Sequence, residues 1–496
     1  MRIPEEHLPY ALFKGGLLGQ ICMKDKSCPY KKFTNSTKCW GYEEGCNDWG
    51  NRFLKPECPE KAPYGWVPEG EDQIGQWWLQ GDFGYVKSVR DSIQPFCEPE
   101  TETDSSLYCS ENTRFCKGKN LYIDFTRIRF SENTNRFQED IFREGEIGGH
   151  CRLNKNLFTK NGEHKSPLQS WYAELENYRA LPFQVPSENH CDIVINKPTI
   201  LMKLDAGVNL YHHYCDFLNL YASLHVNGSF SNDVEIIVWD VTELHYGELF
   251  YDSWKAFAKS GQFTYLKSFE GKKLCIKDFM FPLLPRMRYG LYYNTPLIPG
   301  CRTTGLFKAF SKFLIHRLNI TSRGPMRNKI RITLLERKTP FRRIVNQAEI
   351  VKALKTVSEY DINVVDYSFR DLPFLKQVEI SHNSDLMMGM HGAGLTHMLF
   401  QPDWASIFEI YNCEDPDCYK ELANLRGLDY NTWENDEKLV RGNEVHPKTG
   451  DRHAKFANYA FDVDEFMRIV RMAVEKIKRN PSFIEARRKK FERDEF

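Results

Sequence analysis

The sequence has no long hydrophobic run. Nothing in it approaches the roughly 18 consecutive apolar residues that cross a bilayer, so no membrane span is expected. Nor does one sign of charge dominate: 67 Lys and Arg balance 67 Asp and Glu. A protein devoted to nucleic acid carries a basic excess, and none is predicted as a partner here. Familiar catalytic signatures are missing as well. The chain contains no G-x-G-x-x-G, P-loop lysine, G-x-S-x-G, H-E-x-x-H or kinase set. That counts against hydrolase, metalloprotease and phosphotransferase chemistry. The start, Met1 to Pro9, has no apolar signal core, and no internal repeat is visible.

Cysteine, by contrast, is plentiful. There are 15, eight of them (Cys22, Cys28, Cys39, Cys46, Cys58, Cys97, Cys109 and Cys116) in the first quarter. Their spacings do not form C-x-x-C modules, which favours disulfides over zinc, and an odd total leaves at least one thiol unpaired. N-x-S/T sequons at Asn35, Asn227 and Asn319 predict N-glycosylation. The final Arg493-Asp494-Glu495-Phe496 resembles a Lys/His-Asp-Glu-Leu retrieval signal with Phe for Leu. Together these features predict the lumen of the endoplasmic reticulum, with a leader peptide missing from this chain.

A chain of 496 residues with 41% hydrophobic and 14% aromatic residues predicts a globular protein of roughly two to four domains. Residues 1–120, rich in Cys, Trp, Gly and Pro, read as a disulfide-stapled irregular region. The first strand is expected over Leu121–Phe130. From about 190, strands alternate with helices. Ile193–Ile195, Thr199–Leu204 and Val234–Trp239 read as strands, with a helix over Asn209–Val226. After Gly305 the pattern repeats: helix 306–318, strand 330–335, helix 347–360, strand 362–365 and helix 372–380. An apolar strand, Leu386–Met390, then turns through His391-Gly392-Ala393-Gly394 into a helical pattern. Strand 405–411, helix 417–425, strand 430–433 and an amphipathic helix over 461–478 complete the chain. Such alternation makes doubly wound α/β sheets, which bind ligands at the carboxyl ends of their strands.

Three constellations stand at such places. The 385–397 turn exposes backbone N–H groups at a helix start and suits a phosphate, although an ordinary tight turn has the same sequence. Arg337 and Lys338, with Arg342 and Arg343 behind them, could hold phosphate oxygens or form a surface basic cluster. Glu409 at a strand end could accept hydrogen bonds from a ribose diol or be a paired edge carboxylate. Earlier in the chain, Asn209, His212/His213 and Asp216 share one helix face, with Asp205 just before. That row suits a general base, a buried packing network, or a metal site lacking a visible third ligand.

Asn209–Phe217, Leu284-Pro-Arg286-Met-Arg-Tyr-Gly290, Gly389–His397 and Phe408–Asp415 together resemble glycosyltransferase family 61. The resemblance covers the chain from about 120 to the end. It implies a GT-B-like α/β fold, two Rossmann-type domains facing a cleft: an acceptor-side domain at 121–304 and a UDP-sugar domain at 305–458, followed by a helical tail at 459–496. It further implies UDP-N-acetylglucosamine as donor, Ser/Thr hydroxyls of folded EGF-like domains such as Notch repeats as acceptor, and inversion at the anomeric carbon. On the donor side it places Arg337, Lys338, His391, Gly392, Ala393, Gly394, His397 and Glu409. Asp216, His212 and His213 become the catalytic candidates, with Asn209 and Asp205 as acceptor-side or structural groups. Relatives can carry an acidic triplet where this chain reads Ala258-Lys259-Ser260-Gly261, so a divalent cation (Mn2+ or Mg2+) assisting UDP is an option rather than a requirement. A second reading is a non-catalytic luminal lectin or chaperone-like binder of EGF repeats.

Overall fold

The computed structural model describes residues 3–59, 73–162, 165–186, 189–243, 245, 247–296, 298–368 and 370–491. The retrieval-like Arg493–Phe496 and Trp66 lie outside them. The chain forms two compact units, Met1–Pro299 and Gly300–Phe496.

In the first unit the described residues build one mixed sheet of 11 strands. Its spine is Lys273–Phe281 paired antiparallel with Cys116–Asp124, in register from Lys273↔Asp124 to Phe281↔Cys116. Thr199–Met202 runs parallel to both Lys273–Phe281 and Glu235–Val238. The helix Leu210–Asn227 makes the crossover between Thr199–Met202 and Glu235–Val238. Asn209 caps its start by accepting a hydrogen bond from the Tyr211 N–H at 3.0 Å, and Gly228 ends it in the left-handed conformation.

This unit is mixed rather than purely parallel, because residues expected to be irregular enter the sheet. Helices Gln73–Gly81 and Phe83–Asp91 form within 1–120, as do strands Gln94–Glu98 and Ser106–Cys109. The strand expected from Leu121 begins instead at Cys116. Its polar first half, Lys117 to Asn120, is a poor strand on pattern alone. Pairing on both edges, to Ser106–Cys109 and Lys273–Phe281, overrides that preference. The strand stops at Asp124, whose carboxylate accepts from the Thr126 N–H at 2.8 Å and turns the chain. The expected disulfides form: Cys22–Cys28, Cys39–Cys46, Cys97–Cys151, Cys109–Cys116 and Cys191–Cys275. Buried Cys215 and Cys413 hold none. No described helix is long and apolar enough to cross a membrane.

The second unit carries a parallel five-stranded sheet. Its strands are Ile330–Leu335, Tyr360–Val365, Leu386–Gly389, Ser406–Glu409 and Asp429–Thr432. Numbered along the chain, they lie in the order 2-1-3-4-5. Every residue of the third and fourth strands is buried, as a sheet covered on both faces requires. The helix Val463–Arg479 buries Phe466, Ile469, Val470 and Ala473 against this sheet's core, worth about 1.5–3 kcal/mol for each large side chain. The chain leaves the first strand to one side for the second, then crosses to the other side for the third. This reversal opens a crevice at the carboxyl ends of the first and third strands, the usual ligand site of a doubly wound sheet.

Candidate active site

Arg337 follows the first strand and the His391–Gly394 turn follows the third, so the two flank the crevice. A cavity of about 440 Å³ opens there, lined by Leu335 to Thr339, by Asp366 to Ser368 and by Met390, Gly392, Gly394 and Leu395. A Cβ at Gly392 would stand 2.7 Å from Arg337 Nη1 and would displace the end of that side chain. Beyond it the chain forms a 3₁₀ helix, Ala393–Phe400, in place of an α-helix. Leu395, Met398, Leu399 and Phe400 are all buried, so no solvent face selects the 3.6-residue period. The N–H groups at the start of this helix have no acceptor within it and remain available to an anion.

Charges of both signs line this place: Glu336 and Asp366 stand beside Arg337 and Lys338. Arg337 Nε donates to the Phe341 carbonyl at 2.9 Å, and Arg342 Nη1 to the His391 carbonyl at 2.9 Å. Arg342 Nε is buried without a hydrogen-bond partner. Neither guanidinium has a carboxylate partner among the described residues. Burial first, and the neighbouring Arg342 second, lower the pKa of Arg337 from 12.5 to about 10. Two close, partly desolvated guanidinium groups that pair with no carboxylate among the described residues are a donor set that suits an anion. Lys338 lines the same cavity, exposed and 3.5 Å from Asp366, which also lines it.

Glu409 ends the fourth strand and is fully buried. Its Oε1 accepts from His391 Nδ1 at 2.8 Å and its Oε2 from the Tyr430 hydroxyl at 2.5 Å. Burial raises its pKa, and the bond from His391 opposes that rise. With both oxygens engaged, Glu409 orients His391 and has no free edge for a ribose diol. His391 does not line the cavity; its Nε2 lies 3.7 Å from Asp415, which Lys455 holds at 2.8 Å. His397 also departs from expectation. It donates to the Gly394 carbonyl at 2.9 Å, and burial pushes its pKa down to about 3. It is a neutral core residue packed on Tyr367.

In the first unit, the helix face expected to be a single row splits in two. His213 and Asp216 are sealed inside. His213 Nδ1 donates to Asp216 Oδ2 at 3.1 Å, and its Nε2 lies 2.7 Å from Glu248. Burial alone would depress the pKa of His213, but the two carboxylates outweigh it and hold it up at about 9. Burial raises Asp216 to about 6, and its oxygens also accept from the Asp205 N–H at 3.1 and 3.2 Å. His213, Asp216 and Glu248 thus form a buried ionisable cluster.

His212 is different, 26% exposed in its side chain. Its Nδ1 stands 2.9 Å from Asp205 Oδ2 and 2.8 Å from Arg286 Nη2. As an N–H it donates to Asp205, leaving Nε2 free as an acceptor; as a lone pair it accepts from Arg286. Arg286 in turn donates to Asp205 at 2.7 Å and lies 3.8 Å above the Tyr293 ring. Asn209 is the helix cap alone. The Ala258–Gly261 stretch, where an acidic triplet can occur, holds a buried Ala258 and exposed Lys259 and Ser260.

Sequence reasoning passed over Arg286, Glu248 and Tyr430. Arg286 lies inside a quoted motif and was within reach. Glu248 and Tyr430 are joined to their partners only through the fold, and no local pattern marks them.

Comparison with known proteins identifies a family and its relatives. The sequence model of the family Glycosyltransferase 61 matches residues 274–408, a span that includes Arg286, Arg337 and the 391–394 turn. Across almost its full length the chain is similar to proteins named EGF domain-specific O-linked N-acetylglucosamine transferase. It is 49% identical to that of Rattus norvegicus over 97% of this chain and 91% of the relative. For Gallus gallus the identity is 49%, over 96% and 90%. For Drosophila melanogaster it is 46%, over 91% and 86%.

Proposed function

Because the chain belongs to glycosyltransferase family 61, we propose that it is an inverting transferase that moves N-acetylglucosamine from UDP-N-acetylglucosamine to Ser or Thr hydroxyls of folded EGF-like domains, those of Notch-like receptors included. The acceptor class follows the activity named for relatives 46% to 49% identical to it. One observation carries the donor assignment: Arg337 and Arg342, without carboxylate partners among the described residues, converge on a glycine turn at the switch point of a parallel sheet. A diphosphate supplies the missing negative charge. The disulfides and the sequons support work in the lumen of the endoplasmic reticulum, where a GT-B-like pair of domains would operate.

In the proposed reaction the acceptor oxygen attacks the anomeric carbon as the bond to the β-phosphate breaks. Arg337, Arg342 and the N–H groups of the 392–394 turn stabilise the charge on departing UDP, a preorganised electrostatic role. His391, fixed by Glu409, holds the turn. Lys338 reaches the same rim with a mobile charge. The acceptor proton is assigned to Nε2 of His212, with Asp205 holding the imidazole in the right tautomer. Asp216 and His213 act beneath it as scaffold, since their side chains are buried. The two arginines already supply cationic charge for UDP, so Mn2+ or Mg2+ would assist rather than substitute for them.

UDP release on mixing the protein with UDP-N-acetylglucosamine and a folded EGF repeat tests this, with and without EDTA. Release that stops when the repeat is unfolded supports the transferase. Tight binding of the repeat with no UDP release favours a non-catalytic binder. Abolition by EDTA would assign the metal an essential role.

A further inference from the structure

A second concavity, of about 310 Å³, lies in the first unit on one face of the mixed sheet. Two cross-strand rows supply its walls. Tyr108, Lys117 and Met280 face one another in register, and Ser106, Lys119 and Asp278 form the next row. Phe279 lines the same concavity and is buried. Lys119 and Asp278 sit directly opposite across an antiparallel pair, where unlike charges normally meet. No ion pair forms between them, and among the described residues Lys117 also has no carboxylate within ion-pair distance. The wall therefore presents ammonium donors, a carboxylate acceptor and a tyrosine ring, none of them consumed by a protein partner. Sugars are bound by such a set, with hydroxyls shared between donors and a carboxylate while a ring face lies on apolar surface.

The lip of this concavity includes Asn227, the last residue of the helix Leu210–Asn227. Gly228 turns the chain there, and the Ser229 N–H donates to the Leu224 carbonyl at 3.1 Å. The sequence Asn227-Gly228-Ser229 is an N-glycosylation acceptor. We infer that Asn227 carries an N-linked glycan whose first N-acetylglucosamine is seated in this concavity, against Tyr108, Lys119 and Asp278. Forming the linkage breaks the sugar's anomeric C–O bond to a lipid diphosphate donor and makes a C–N bond to the Asn227 amide nitrogen. That nitrogen gives up one proton to solvent, and the lipid diphosphate leaves. The seated sugar binds the helix end to the sheet from outside, independently of the donor site and of the transfer reaction.

The test uses the full chain secreted from animal cells and peptide N-glycosidase, which cuts the sugar–asparagine linkage. Site-resolved mass spectrometry follows release at Asn227 in native buffer. Release from Asp278→Ala and Lys119→Ala, both exposed positions, should run about tenfold faster than from the unaltered protein, the factor given by ~1.4 kcal/mol of seating. Denaturation should remove the difference, and release at Asn35 and Asn319 should not respond to either variant. An unmodified Asn227, or equal native rates in the unaltered protein and both variants, overturns the inference. UDP-release activity in the same preparations reports on the proposed transferase separately.

Discussion

Replacing Arg337 by Gln separates binding from folding. In the folded protein the guanidinium is partly desolvated and faces Arg342, and its pKa falls from 12.5 to about 10. A cation whose folded pKa is depressed opposes folding while it is charged. The sign is therefore that removing the charge costs no stability. The upper bound on the gain is ~3 kcal/mol, reduced by solvent screening because the side chain is not fully enclosed. Gln also gives up the Nε bond to the Phe341 carbonyl, a loss of about 1 kcal/mol. The net expectation is a melting temperature equal to or above that of the unaltered protein. Catalysis should move the other way. Loss of one preorganised donor to a developing anion costs about 2.7–4 kcal/mol, or 10²- to 10³-fold in turnover. The assays are thermal melting with and without UDP, and UDP release with a folded EGF repeat. UDP should raise the melting temperature of the unaltered protein, because a ligand bound only by the native state stabilises it, and should leave the variant unmoved. Normal turnover in Arg337→Gln, or a large fall in its melting temperature, would refute the reasoning.

Other outcomes follow from the same geometry. Asp216→Asn removes one of two carboxylates on buried His213 while Glu248 stays 2.7 Å from the ring, and should cost about 1–3 kcal/mol in urea unfolding; an intact protein that merely loses activity would return Asp216 to the chemistry. His212→Ala should instead keep its stability and lose turnover, by about 10²- to 10⁴-fold for a general base, and unchanged turnover would remove His212 from the mechanism. His213 is held up at about 9, above the ordinary 6.5, so its contribution to stability is full below pH 6.5 and is lost as pH rises through 9. Melting should weaken across that window and weaken less in His213→Gln; identical slopes would contradict the pairing. Serine at both Cys191 and Cys275, which close a separation of 84 residues, should cost about 2–5 kcal/mol, read by denaturant titration.

The parallel sheet was legible because its strands are short apolar runs bounded by turn residues. Ile330–Leu335 has the expected bounds and the other four strands shift by at most two residues at either end, whereas the helix expected over 347–360 stops at Lys355. Position at a strand end singled out Arg337, His391 and Glu409, and the structure places all three at the carboxyl ends of this sheet's strands. It did not tell which way each side chain turns. His391 and Glu409 are 18 residues apart and meet because Gly389 and Glu409 lie in register on neighbouring strands. The 209–216 helix misled for another reason. Helical spacing assigns a face but not a depth, and this helix is buried on nearly every side. His212 and His213, adjacent in sequence, therefore differ in access. Within 1–120, strands such as Ser106–Cys109 are specified by their partners rather than by their own alternation, and local reading had nothing to detect.

The two arginines have a consequence for turnover. Their charges repel one another, and among the described residues no carboxylate pairs with either. On the proposed reaction the relief comes from the diphosphate, which substrate and product share, and not from the sugar. Released UDP therefore competes for the cradle with undiminished charge, and the enzyme would be throttled by its own by-product. Sustained transfer then calls for a companion phosphohydrolase that trims the nucleoside diphosphate to a monophosphate, a poorer fit for two guanidinium groups.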